Sequence, residues 1–529
     1  MNTSSSRRQR LVLTVRAGLR HGLWALLLCA VMQPALRAQQ PPEEPFIEPA
    51  EMPHQHKTKV RATVEAVPLQ NGRWDTLPFN MPINPVHVAL MHTGKVLVIA
   101  GSGNEPSNKN LQAAVWDPQS ATIKTFKISW DMFCNGMVIL PDGRPFVLGG
   151  TLKYDKFLGE PRTSAFDPLT ETFVDMPPMS GGRWYPTGTV LGDGSVLVYS
   201  GLNDKKSVIN PTVQIFKGTA WEPAGTTFAG VPLYPREHLL PNGKVFVSGA
   251  AIDSQMYDPP TKTFTKSAKT ILARPRNYGA SVLLPLTVAN GFKPKVMILG
   301  GVNPTATNTT ELIDLSVPSP KWVAGPPMAK GRIQVNATLL PNGKVLISGG
   351  SVKDEKAATA VKEAQLYDPV SNKLSSASAM EFPRLYHSNT LLLPDATVVA
   401  LGGNPQRGSY QPQIEIYSPP YLFKPDGTPA TRPAIATAPD SAHYGETFTV
   451  GTPDAADIKT VVLIRPGAVT HSFDMDQRLV EAAFTASAGT LTVTAPANGN
   501  LAPPGYYLLF LLNSQGVPSV ARFIRLASP

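Results

Sequence analysis

One phrase recurs along most of this 529-residue chain. It reads HTGKVLVIAG at 92–101, PDGRPFVLGG at 141–150, GDGSVLVYSG at 192–201 and PNGKVFVSGA at 241–250. It returns as GFKPKVMILGG at 291–301, PNGKVLISGG at 341–350 and PDATVVALGG at 394–403. Most copies set an Asn-Gly or Asp-Gly turn before a short apolar run and close the run with a Gly pair, which is hairpin chemistry. With Gly101, Gly150, Gly201, Ala250, Gly301, Gly350 and Gly403 as markers, the spacing is 49, 51, 49, 51, 49 and 53. A second echo, VWDP, AFDP, MYDP and LYDP, follows most copies. A chain that repeats at this interval folds into like units, each burying its strands against the next.

Gly pairs at this period are the kelch signature, in which each unit is a four-stranded blade and a ring of blades closes a propeller. A β-sandwich with chance turns is the alternative, and the regular spacing weighs against it. From about Lys424 the phrase is gone, and short alternating strands such as ETFTVGT, TVVLIRPG, GTLTVTAP and GYYLLFLLN take over. They read as a small sandwich. The expected fold is therefore all-β: a seven-bladed kelch-type β-propeller over 71–423, then a C-terminal immunoglobulin-like β-sandwich over 424–529. The load of 53 prolines and 42 glycines agrees with a turn-rich chain.

The N-terminus carries Arg7, Arg8, Arg10, Arg16 and Arg20 ahead of the apolar run GLWALLLCAVM. That run is too short to span a bilayer and fits a signal peptide over 1–38, with a Pro-rich linker over 39–70. The protein is thus expected to be exported: secreted, periplasmic or held at the cell surface. Without the leader, 42 basic residues stand against 38 acidic ones. No basic cluster interleaved with aromatics occurs, so nucleic acid is not an expected partner.

Of two cysteines, Cys29 lies in the leader and Cys134 is left without a disulfide partner. Sixteen residues ahead of six of the markers stand Pro85, Cys134, Tyr185, Tyr234, Gln334 and His387, with Tyr386 just before His387, and Tyr278 stands twenty-three ahead of Gly301. Equivalent positions of a propeller form a ring about its axis, so these side chains are expected to converge at one mouth. An unpaired Cys is more often a small buried hydrophobe, and Tyr at a channel mouth is more often packing than chemistry. A second imidazole, His471, stands in RPGAVTHSFDMDQR behind a Pro-Gly turn, where a loop could carry it into the mouth. His87, His92, His238 and His443 show no such setting and are read as structural, with His54 and His56. Imidazoles and phenolates with open positions suit Cu(II), whereas no HExxH or paired CxxC favours zinc.

These residues resemble those of the copper radical oxidases, the galactose oxidase and glyoxal oxidase group, and the glyoxal oxidase branch most. The resemblance rests on FCNG around Cys134, GGRWYPT around Tyr185, RLYHSNTLLLP around Tyr386 and His387, and THSFDMDQR around His471, and extends through APPGYYLLFLLNSQGVPSVARFIRL. It implies one copper ion held by Tyr185, Tyr386, His387 and His471. It implies a Cys134–Tyr185 thioether serving as a tyrosyl radical cofactor, with Tyr386 taking the substrate proton. The implied reaction oxidises small aldehydes, glyoxal-like, or primary alcohols with O2 and gives H2O2. Carbohydrate bearing primary hydroxyls is a further possible partner, and the protein is expected to be a monomer. The alternative is a kelch propeller that binds carbohydrate or protein without catalysis. Tyr234, Arg236, Tyr278 and Gln334 are candidates for the substrate pocket by position. Strand alternation expects Trp184 on the face opposite Tyr185.

Overall fold

The computed structural model describes residues 69–527 apart from Asn303, Asp354 and Arg407. The expected leader 1–38, with Cys29, and the linker up to residue 68, with His54 and His56, lie outside the described residues. Among the described residues the phrase copies build seven antiparallel blades of four strands each, the first extended to six strands by a hairpin from further along the chain. Their inner strands are His87–Leu90, Gly136–Ile139, Trp184–Val190, Arg236–Leu239, Ala280–Leu283, Asn336–Leu339 and Ser388–Leu392. The chain is all-β, a seven-bladed propeller followed by an immunoglobulin-like sandwich.

The apolar run of each phrase is the second strand of its blade, buried on both faces because neighbouring blades cover it; Val96–Gly101 and Val345–Ser348 are buried at every residue. The outer strands, such as Thr122–Lys127, alternate between exposed and half-buried residues. The Gly pair is required by crowding: a Cβ on Gly150, at φ +152°, would stand 2.5 Å from the Asp131 carbonyl oxygen. A buried arginine just ahead of four inner strands ties this corner: Arg276, Arg332 and Arg384 donate to the carbonyls of Gly300, Gly349 and Gly402 at 2.9, 3.0 and 3.0 Å, and Arg183 to that of Ser200 at 2.8 Å. Arg384 also grips the buried Glu415 carboxylate at 2.7 Å, so this cation is paired as well as hydrogen-bonded.

Closure of the ring is not visible in the repeat. The last blade takes its outermost strand from the start of the described chain: Arg73–Asn80 pairs antiparallel with Gln413–Ser418. Beyond the ring, five strands, among them Ile458–Arg465 and Gly505–Asn513, form one sheet, and Thr447–Gly451, Thr490–Thr494 and Phe484–Ser487 a second. Their common core of Val450, Val461, Leu463, Val493, Tyr507 and Leu509 runs on into Leu240, Phe246 and Leu283 of the fourth and fifth blades.

One hairpin leaves the sandwich and enters the ring. Its strands Ala468–Thr470 and Phe473–Asp474 add to the inner edge of the first blade, with Val88 opposite Val469 and Ala89 opposite Ala468. Its root is pinned by a buried pair, Arg465 and Asp476 at 2.9 Å. Arg465 also reaches the Ile139 carbonyl of the second blade at 2.6 Å, and Arg478 that of Leu239 in the fourth at 2.8 Å.

Candidate metal centre

Six of the seven ring positions share a backbone state that L residues avoid. Cys134, Tyr185, Tyr234, Tyr278, Gln334 and His387 have φ of 60, 67, 45, 59, 61 and 63°. Each costs about 1–2 kcal/mol against the right-handed region. Hydrogen bonds between blades hold them there: Tyr185 N–H donates to the Cys134 carbonyl at 3.0 Å, Tyr234 N–H to that of Tyr185 at 3.0 Å, and Gln334 N–H to that of Tyr278 at 2.8 Å. Strained residues grouped in this way mark functional sites.

The strain overturns one expectation. Trp184 does not take the face opposite Tyr185; the two rings stack at 3.8 Å and 14°. The left-handed turn at Tyr185 interrupts the alternation that an extended strand would impose. Tyr234 stacks on Tyr185 as well, at 4.4 Å. Two rings this near cannot share one face, so Tyr185 lies between them. Phe157 covers the far side of Trp184 at 4.3 Å.

His471 arrives on the tip of the inserted hairpin. It and Ser472 form a two-residue turn, both left-handed at φ 47 and 66°, where Asn-Gly would be usual. The Thr470 hydroxyl donates to the Val86 carbonyl at 3.0 Å and therefore accepts from His471 Nδ1–H at 2.6 Å. This fixes the tautomer. The lone pair on Nε2 is left facing Tyr185 Oη at 3.0 Å and Cys134 Sγ at 3.8 Å.

The remaining groups close the cluster. The Tyr185 and Tyr386 hydroxyls meet. Tyr386 stacks on His387 at 4.0 Å and stands edge-on to Tyr278 at 5.7 Å. His387 packs edge to face on His471 at 4.7 Å, and neither of its nitrogens makes a hydrogen bond of good geometry. Cys134 Sγ and one nitrogen of each of these histidines lie within 4.8 Å of one another, all buried. A sixth group, left as structural on sequence, belongs here too: His87 is fully buried, 6.0 Å from His471 by ring centroids, with both nitrogens unpaired. Its signal is its place, two residues past the ring position Pro85 at the start of the inner strand.

The pocket candidates divide. Tyr278 faces Tyr386, and Gln334, bonded to it through the backbone, leaves its side-chain oxygen unpaired. Tyr234 is committed to the Tyr185 stack and to the Asn135 carbonyl at 2.7 Å. Arg236 is buried, with its donors on the carbonyls of Tyr234, Gly279 and His471.

Burial sets the charges. It lowers the His387 pKa to about 3, and it lowers that of His471 well below the usual range, with His387, His87 and Arg236 adding to the effect. Both imidazoles therefore present lone pairs at neutral pH. Burial, then the Cys134 thiol and the Tyr386 phenol, push the Tyr185 pKa far up, so its ionisation awaits a cation. Two neutral imidazoles, His387 with unpaired nitrogens and His471 with Nε2 turned toward Tyr185, beside two phenols fit Cu(II).

The His387 shift has a consequence for the metal-free protein. Its folded pKa is below the unfolded 6.5, so its contribution is complete above pH 6.5 and is lost as pH falls toward about 3. His387→Gln removes that loss. From pH 6.5 to 5 the metal-free variant should lose about 2 kcal/mol less stability than wild type in urea unfolding. Parallel losses in the two proteins would refute the neutral assignment.

Known proteins are similar to this chain along most of its length. The family profile described as "Glyoxal oxidase N-terminus" covers residues 108–421, and "Galactose oxidase-like, Early set domain" covers 432–526. An aldehyde oxidase, GLOX, of Vitis pseudoreticulata is 29% identical over 520 residues, spanning 86% of this chain and 97% of the relative. A galactose oxidase of Gibberella zeae is 27% identical over 500 residues, 86% of this chain and 70% of the relative. A solved structure described as a novel fungal alcohol oxidase with catalytic diversity among the AA5 family, in complex with copper, superposes with a TM-score of 0.76 at 25% identity, covering 86% of this chain and all of that one.

Proposed function

Because the chain belongs to the copper radical oxidase family, we propose that it is an exported oxidase of small glyoxal-like aldehydes or primary alcohols that reduces O2 to H2O2. The observation that carries this reading is the meeting of Cys134, Tyr185, Tyr386, His387 and His471, drawn from chain positions up to 337 residues apart, in one buried cluster.

Tyr185, Tyr386, His387 and His471 would hold the copper. When bound, Cu(II) would supply one oxidising equivalent, accepting the second electron of the substrate, and a Lewis-acid position for the substrate oxygen. The chain supplies the rest. Cys134, joined to the Tyr185 ring by a thioether, donates electron density and eases one-electron oxidation of that ring. Tyr386 Oη takes the proton of the substrate hydroxyl, and the Tyr185 radical takes the hydrogen atom from its carbon. An aldehyde enters this scheme as its hydrate, which has the hydroxyl that the free carbonyl lacks. Trp184 and Tyr234, stacked on the two faces of Tyr185, keep water from the radical. Tyr278 and Gln334 flank the substrate beside Tyr386, where sequence reasoning also set Tyr234 and Arg236.

Residues 1–38 act as the export leader and 39–70 as a linker, so the mature monomer works in periplasm, at the surface or in the medium. Its propeller extends over 71–423 and the terminal domain over 424–529.

The test is aerobic copper loading followed by intact mass and a peroxide assay. The protein should lose the mass of two hydrogens, its thiol should resist alkylation, and peroxide should form with some of glyoxal, methylglyoxal, glycolaldehyde, galactose and polysaccharides. An alkylatable Cys134 with no peroxide across that panel would reduce the protein to a binding module.

A further inference from the structure

Arg236 opens the inner strand of the fourth blade, two residues past the ring position Tyr234. It is buried, and among the described residues no carboxylate stands within ion-pair reach of it. Arg384 and Arg465, equally buried, sit on Glu415 and Asp476. Its partners are carbonyl oxygens: His471 at 3.0 Å, Gly279 at 3.0 Å and Tyr234 at 3.4 Å. Its guanidinium also covers the Phe473 ring at 5.2 Å. The His471 carbonyl and the Phe473 ring bracket the left-handed pair His471–Ser472, so one side chain grips both sides of the turn. A buried charge without a counter-ion is costly, and an apolar residue would fill the space without that cost.

We propose that Arg236 is a positioning residue with two tasks: its fork holds the strained His471 turn against the fourth and fifth blades, and its uncompensated charge favours the deprotonated hydroxyl of a substrate at the metal centre. This rests on the copper reading above. In the scheme above Tyr185 is an uncharged radical and Tyr386 has taken the substrate proton, so the substrate oxygen is the anion left in a buried site. Arg236 is the cation that offsets it.

Copper-loaded wild type, Arg236→Met and Arg236→Lys separate the two tasks, with azide as the anion probe and the copper hyperfine pattern in electron paramagnetic resonance as the report on the turn. R236M should bind azide about tenfold more weakly and shift the hyperfine pattern. R236K keeps a point charge but not the fork, so azide affinity should stay within about threefold of wild type while the pattern shifts. An R236M protein with wild-type azide affinity and pattern overturns the proposal. An R236K protein that loses azide as fully as R236M overturns the charge task, and a wild-type pattern in R236K overturns the clamp. Should R236M not fold, the two R236K outcomes decide. A wild type that binds no copper overturns the copper reading together with this inference; copper binding beside an unaffected R236M overturns the inference alone.

Discussion

Cys134→Ser is expected to lower turnover about a thousandfold, equivalent to about 4 kcal/mol in the activation barrier, while leaving the fold and the copper site in place. Cys134 is fully buried and its thiol lies 3.8 Å from His471 Nε2. Serine is smaller by little and occupies the same left-handed backbone position at the same strain. What serine cannot do is form the sulfur–carbon bond to the Tyr185 ring. That phenol is already hard to ionise in its buried setting. Without the sulfur it is also harder to oxidise by one electron. Copper-loaded C134S should show the Cu(II) resonance of a protein with no radical partner and no mass change on aerobic incubation. Peroxide release within tenfold of wild type would mean that the thioether is not what makes the radical accessible.

His471→Ala should weaken copper binding by more than a hundredfold, and Thr470→Val by about ten- to a hundredfold. The second value is the more telling. Thr470 never faces the centre; it accepts the Nδ1 proton of His471 at 2.6 Å and passes its own to the Val86 carbonyl at 3.0 Å. Valine keeps the shape but leaves Nδ1–H without its acceptor, so the ring can turn or change tautomer. Competition titration against a chelator of known affinity measures both. Equal affinity in T470V and wild type would show that the hairpin backbone alone aims the imidazole.

The seven phrase copies spell out the blades because each carries its own turn and apolar strand, closed by at least one glycine, in local sequence. Counting along those copies finds the ring position in six blades; in the fifth, Tyr278 lies twenty-three rather than sixteen residues ahead of Gly301 because the connection from Leu283 to Lys295 is longer. Local signals of this kind end where contacts between distant segments begin. Nothing around Arg73 announces that its strand completes the last blade, because Arg73–Asn80 finds its partner at 413–418. Nothing around His471 announces that Val469 pairs with Val88. Trp184 was assigned the wrong face because alternation assumes an extended strand, and the φ of 67° at Tyr185 breaks it. The place of Arg236 beside the ring points to the pocket, but the hydrogen bonds that occupy its donors come from 43 and 235 residues away.

The inserted hairpin also dictates an order of assembly. The strands that close the propeller are all present once residue 418 has been made, but the turn that brings the second imidazole lies more than fifty residues further on. A nascent ring therefore carries the thiol, both phenols and only one of the two nitrogens. The set of side chains proposed to hold the metal is therefore complete only once the terminal domain has sent its hairpin into the ring.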